Sequence, residues 1–437
     1  MTRRPLWMTL LLVLLVAYSL AHVGYSIAQY NPISYPYVSG DFGRAFGEML
    51  HWRAGDALAP REILHPPLYY VLLRPLAPLP FTTVAKLLYF SQFILYALAI
   101  RWMVLAASGA SRPRAVDYLL AAVLTVNFQP FLETVALHKV EGIEFVLICL
   151  AIFSFRKRRD ALTGALVVLA ANLKYLPGIL GLYFLVKRER RVMVGMLVAS
   201  VVVLAVSVVA MAGPMGGWVA VLRYPLALLA DHQHEGNRPE ASIEFQTLSG
   251  TVNRWLVGPE GMVRHFETQA YAAVSQPGLA LAIAAVLKLG LVGLYLYAMR
   301  RRWTARARET HWPVVLCEIS LTLTLIFIIA QASRVHYAVL LLPAFVSAAL
   351  LLMRYPDVLG WSERILFAAA YGLTAMLIPG GLLNRLPPHH LWGAHPSFAY
   401  LWFSLPFSGY LLLGVCLLRC RSRLLRAGVV AGEQAGG

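Results

Sequence analysis

The apolar residues of this chain fall into repeated blocks of about 17 to 25, the length a helix needs to cross ~30 Å of hydrocarbon. That pattern limits the fold more than any motif does. Of the 437 residues, 59% are hydrophobic and 14% charged, whereas a soluble domain carries about 25% charged residues. The bilayer is therefore the expected solvent. Backbone groups in lipid must be satisfied internally, so the blocks are read as helices and the fold class as all-α.

Spans are expected at 6–28, 82–108, 117–132, 142–155, 161–173, 175–187, 192–212, 277–299, 312–331, 335–353, 363–383 and 397–418. About twelve transmembrane helices put both termini on one side, and the first is read as an uncleaved signal anchor. The blocks 142–155 and 175–187 are too short for full spans and predict broken or partly submerged helices beside a cavity. A single polytopic domain, 1–426, precedes a tail, 427–437, expected to be disordered. Two polar outer segments remain. In 29–81, Ile63 to Tyr70 predicts an interfacial helix with Pro at its first turn. The second, 213–276, is punctuated by Gly and Pro and is read as a loop.

A net charge of +17 would suggest nucleic acid in a soluble protein. Here most of the 38 Lys and Arg sit in the short segments expected on the same side as the N-terminus, among them Arg156 to Arg159, Lys187 to Arg191, Arg300 to Arg308 and Arg419 to Arg426. That is the positive-inside pattern, so the charge reports topology and no nucleic-acid partner is expected. Both termini are placed in the cytoplasm and the outer segments outside it, across an inner (plasma) membrane. Cys149, Cys317, Cys416 and Cys420 lie in or at the inner ends of apolar blocks and form no disulfide or zinc pattern.

Asp41 follows Ser39-Gly40 beyond the first helix. It can act as a general base where lipid meets water, or as the N-cap of a helical stretch over 42–52. A second set comprises Lys139 with Glu133, Glu141 and Glu144, then Lys174, Arg223, and Arg334 with His336. Ionisable groups at such depths usually face a cavity and pair or bind a ligand. Cations without matching carboxylates would suit a phosphate. Alternatively, Glu and Lys within 133–144 neutralise each other in an outer loop. Lys174, in Asn172-Leu173-Lys174-Tyr175-Leu176-Pro177, has no acid near it in sequence. His232-Gln233-His234-Glu235 and His389, His390 and His395 carry ligand types, yet neither run falls on an expected helix that would fix the geometry, and no metal is expected. No nucleotide-binding or hydrolase motif occurs in context.

Asp41-Phe42, Gly55, His65-Pro66-Pro67-Leu68-Tyr69-Tyr70 and Arg74 to Pro80, with Leu173 to Pro177 and Arg334-Val335-His336-Tyr337, together resemble glycosyltransferase family 87. Phe245 to Arg254 is similar to that family's outer-loop region only loosely. The resemblance implies a GT-C bundle and inverting transfer of a sugar, mannose by the family's expectation, from a polyprenyl monophosphate. The acceptor would be an extracytoplasmic glycan or glycolipid hydroxyl. It implies Asp41 as base, and Lys174, His336, Arg223 and Arg334 around the donor phosphate. His65, Tyr69, Lys139, Gln246, Asn253 and Arg254 would contact substrate. No cofactor beyond the lipid-linked donor is implied, and a monomer in the membrane is expected. One departure stands out: the Gly-Gln-x-Asn stretch often seen after the third helix reads His138 to Glu144 here. A multi-pass transporter or a surface-polysaccharide polymerase or ligase are the other readings; a transporter often shows internal repeats, and none is visible.

Overall fold

The computed structural model describes residues 16–21, 24, 41–54, 65–108, 112–136, 139–237, 246–256, 277–301, 308, 310–330, 334–375 and 404–428. All regular structure among them is helical. The described residues of the first polar segment, 29–81, carry two short helices, α1 (Asp41–Ala54) and α2 (Pro67–Leu73). α1 buries Phe42, Ala45, Phe46, Met49 and Trp52, a spacing of three and four that puts them on one helical face. α2 starts at Pro67, where a missing N–H costs nothing. A helix stands where the sequence predicted one.

The bundle continues through α3 (Phe81–Ala107), α4 (Ala115–Val126), α5 (Gln129–Ala136), α6 (Glu141–Arg156), α7 (Asp160–Ala171), α8 (Ile179–Lys187) and α9 (Arg190–Met211). Then come α10 (Trp218–Asn237), α11 (Leu248–Leu256), α12 (Pro277–Met299), α13 (Trp312–Ile329), α14 (Leu342–Arg354), α15 (Trp361–Ala375) and α16 (Leu405–Arg426). A 3-10 turn, Val335–Leu341, leads into α14. Among the described residues, five helical segments are long and apolar enough to span a bilayer: Phe81–Ala107, Arg190–Met211, Gly278–Met299, Trp312–Ile329 and Val335–Arg354, and a bent pair makes up to six. α7 and the segment Leu176–Lys187 are apolar but short, and the expected spans 6–28, 363–383 and 397–418 lie partly outside the described residues.

Two expectations change. The single helix expected over 117–132 is two, α4 and α5, bent by 73°. Pro130 has no N–H for the Val126 carbonyl and its ring crowds that group, while the Asn127 side-chain amide donates to the Val123 carbonyl at 2.9 Å. The segment 213–276, read as a loop, carries α10 and α11. Among the described residues its punctuation marks the turn before α10, where Gly216 and Gly217 take φ of 76° and 131°, angles that Gly adopts without strain. The helix α10 then runs through Pro225, so His232, Gln233, His234 and Glu235 lie on a helix; their side chains, like His389, His390 and His395, lie outside the described set.

The core is built on α13 and the Val335–Arg354 segment, whose residues are buried almost throughout. The Trp312 indole N–H donates to the Ala106 carbonyl at 2.7 Å, pinning the start of α13 to the end of α3. α9 and α12 lie at the periphery and expose apolar faces. All four cysteines are buried and free.

At one end of the bundle, the basic segments expected to share a membrane face meet. Their charges are largely paired. Lys187 and Arg421 flank Glu318 at 2.8 and 2.9 Å, and Arg354 reaches Asp117 at 2.7 Å. Arg308 bridges Asp160 and Glu189 at 3.2 and 3.3 Å, and Arg419 and Arg423 both meet Glu363.

Candidate active site

At the opposite end, three chain breaks bring ionisable groups together. α6 starts with Glu141 and, one turn on, Glu144, which share a helical face; both are fully buried. The turn after α7 carries Lys174, and the Asn172 amide closes that helix by donating to Val168 at 2.9 Å. The 3-10 turn before α14 carries His336 and Tyr337. Thr134 of α5 lies 3.5 Å from the His336 carbonyl and ties that turn to the bent pair.

Lys174 Nζ meets Glu141 Oε1 at 2.6 Å and stands 4.1 Å over the centre of the Tyr337 ring, a cation–π distance. His336 Nε2 is 3.6 Å from the same carboxylate oxygen, close enough for charge attraction and too long for a hydrogen bond. Lys139 is buried beside them, within electrostatic reach of His336. The acid that Lys174 lacks nearby in sequence is supplied by Glu141, which heads a buried helix 33 residues away. The physical reason is desolvation: neither charge can be left unpaired away from water.

Several polar atoms around this pair have no hydrogen-bond partner among the described residues: Glu141 Oε2, both oxygens of Glu144, and Tyr96 Oη. Tyr96 comes from α3, and Gly142 is what admits it. A Cβ on Gly142 would lie 2.0 Å from the Tyr96 hydroxyl oxygen. Such orphans are expensive in a finished core, at roughly 1–3 kcal/mol each, and are expected where a ligand completes the set.

The first-loop helices cover this group. Val140 and Leu173, which flank Glu141 and Lys174 in sequence, pack in one apolar cluster with Phe42, Phe46 and Met49 of α1 and Tyr69, Tyr70 and Leu73 of α2. Ile143 and Tyr175 border it. The two helices are locked by Tyr70 Oη, which donates to Glu48 Oε2 at 2.6 Å and accepts from the His65 backbone N–H at 3.2 Å. Burial and the Glu48 carboxylate push the Tyr70 hydroxyl well above its usual pKa, so it stays a donor. Arg44 adds a 3.0 Å pair to Glu48. Asp41 opens α1 one residue before Phe42, so its backbone enters at the edge of this cluster; its side chain lies outside the described set.

The other expected residues divide. His65 is buried with its ring 4.6 Å from that of Tyr69, edge to face, under the first-loop cover. Arg334 is half-buried, two residues before His336. Arg223 is exposed on α10, although its neighbour Tyr224 is buried in the first-loop cluster. Gln246, Asn253 and Arg254 belong to α11 or its entry, and Leu248 and Val252 of that helix pack in the main core rather than under α1 and α2. Arg254 donates to the Ser404 hydroxyl, and burial lowers its guanidinium to about 9, still protonated at neutral pH. Sequence reasoning missed Tyr96 and the Glu48–Tyr70 lock. The signal for the Glu141–Lys174 pair was present, since a lysine between two apolar blocks requires a carboxylate from elsewhere in the chain.

No curated protein matches the chain. The model of glycosyltransferase family 87 matches residues 64–273, a stretch that runs from His65 and α2 through Glu141 and Lys174 to α11. The apolar helices fit a membrane protein, and the matched stretch, just under half of the chain, supports membership of glycosyltransferase family 87.

Proposed function

We propose that the protein is an inverting transferase that moves a sugar, mannose, from a polyprenyl monophosphate to a glycan or glycolipid hydroxyl outside the cytoplasm. Asp41 takes the acceptor's proton. The acceptor oxygen then bonds to the anomeric carbon as the carbon–oxygen bond to phosphate breaks, and the electron pair leaves on the phosphate. Lys174 and His336 receive that growing charge, which is where cations lower the barrier. The leaving group is already an acidic phosphate, so no residue has to protonate it, unlike the two-carboxylate arrangement of glycoside hydrolysis. The supporting observation is the group formed by part-buried Lys174 with buried Glu141 and His336, beneath the first-loop helices, the first of which Asp41 opens.

The remaining assignments belong to the same reading. The fold is a GT-C bundle of about twelve spans in an inner membrane, with both termini cytoplasmic and the chain a monomer. Arg334 and Lys139 assist at the phosphate; His65 and Tyr69 shape the acceptor side, and Arg223, Gln246, Asn253 and Arg254 act from α10 and α11.

The test is transfer of labelled sugar from polyprenyl monophosphate in proteoliposomes. Asp41→Asn is expected to lower kcat by about 10²–10⁴-fold, the usual worth of a general base, with yield and Tm unchanged. Retention of more than a few per cent of activity removes Asp41 from the base role. Transfer from a nucleotide sugar or a lipid diphosphate, with none from the monophosphate, overturns the donor.

A further inference from the structure

The basic end holds a feature that transfer chemistry does not use. The turns that join α6 to α7 and α8 to α9 lie side by side, because α7 and α9 touch backbone to backbone. A Cβ on Gly164 would lie 2.2 Å from the Val192 carbonyl oxygen, and one on Gly195 would lie 2.3 Å from that of Ala161. Each turn reverses through an arginine in the left-handed region, Arg158 and Arg188, both at φ 57°. Between the turns opens a groove of about 600 Å³ lined by Arg158, Arg159, Arg190, Arg191, Leu162 and Val194, together with Asp160.

The charge in this groove is unbalanced. The acids of the two turns, Asp160 and Glu189, are both engaged by Arg308, whose side chain is 4% exposed. Arg159, Arg190 and Arg191 therefore face a groove whose one carboxylate is already committed. Guanidinium groups bind phosphate oxygens in pairs, and the N-termini of α7 and α9 add favourable dipoles at the same place. The apolar side of the groove continues along α9, where Val194, Leu197, Val198 and Val201 are exposed at 58–66% and recur every three or four residues on one face. A phosphate in water would need none of that surface; an acyl chain would.

We propose that this groove binds the headgroup of an anionic phospholipid, with an acyl chain laid along α9. Three guanidinium groups spread over two turns favour a headgroup with two phosphates over one. Basic pockets between helices at a membrane surface are suited to such lipids. The site is independent of the donor assignment, being at the other end of the bundle.

The experiment follows thermal unfolding of the full chain in phosphatidylcholine nanodiscs, with a minor fraction of cardiolipin or of phosphatidylglycerol, or with inorganic phosphate at matched ionic strength. Cardiolipin is expected to raise Tm by several degrees, phosphatidylglycerol by less, and inorganic phosphate not at all. Arg159→Gln/Arg190→Gln/Arg191→Gln is expected to lose at least half of the cardiolipin shift. Arg112→Gln/Arg300→Gln/Arg426→Gln removes the same charge from exposed positions at the same end and is expected to keep it. Arg190→Lys/Arg191→Lys guards against misfolding of the triple variant and should lose part of the shift. Equal losses in the two triple variants would reduce the effect to general surface charge. No cardiolipin shift in the unaltered chain, or an equal shift with inorganic phosphate, would overturn the lipid site.

Discussion

At the scale of single residues, the Lys174–Glu141 pair makes the sharpest demands. Removing one member of a buried ion pair leaves an uncompensated charge and costs about 3–5 kcal/mol, whereas removing both is far cheaper. Lys174→Met is therefore expected to lower Tm clearly and Lys174→Met/Glu141→Gln to recover most of it, measured in nanodiscs; a double variant no better than the single would dissolve the pair. The proposed donor role adds a kinetic split. Glu141 holds the lysine that the phosphate needs, so Glu141→Gln should lower KM for the donor several-fold while Lys174→Met raises it. If Glu141→Gln raises KM as well, the carboxylate positions the lysine rather than competing for it. Tyr96 offers a quieter check. Its hydroxyl is buried without a hydrogen bond among the described residues, so Tyr96→Phe is expected to leave Tm unchanged or raise it slightly, and Gly142→Ala to lower it through the clash with that ring.

At the scale of elements, backbone contact between α7 and α9 leaves no room for side chains at Gly164 and Gly195. Gly195→Val must push the helices apart and is expected to destabilise by more than the roughly 1–3 kcal/mol typical of core overpacking, read as a lowered Tm. What the sequence made legible follows the same physics. Long apolar blocks such as Phe81–Ala107 and Arg190–Met211 were clear because length and composition alone decide them. The helix α2 was clear from Pro67 and the aromatic pair behind it. The kink at Asn127 was not, because an apolar run continues across it and only Pro130 hints at a break. α10 was missed because its polar half outweighs Val221 and Tyr224, which bury only once α1 and α2 are present. The site was half legible: the depth of Lys174 and His336 marked them, but Glu141 becomes their partner only through contacts between distant segments.

At the scale of the whole molecule, the two ends differ in kind. One holds acids and bases in closed pairs between helix ends; the other holds a few charges with orphaned oxygens under a two-helix cover. The four cysteines are buried, so labelling of the unaltered chain by a membrane-impermeant maleimide should be slight. Introduced cysteines at exposed Arg44 and Arg191 should then label from opposite faces of sealed vesicles, Arg191→Cys from the cytoplasmic one. Labelling of both from the same face would refute the topology.

The contrast between α9, most of whose apolar side chains face outward, and α13, enclosed from Trp312 to Phe327, also bears on how such a sequence can drift. Along α9, Val, Leu and Ile exchange at little cost because lipid tails adapt to any shape presented to them. On α13 the same exchanges must fit neighbours that cannot yield. In a saturation mutagenesis screen, volume should therefore be constrained on the inner helix and hydrophobicity alone on the outer one.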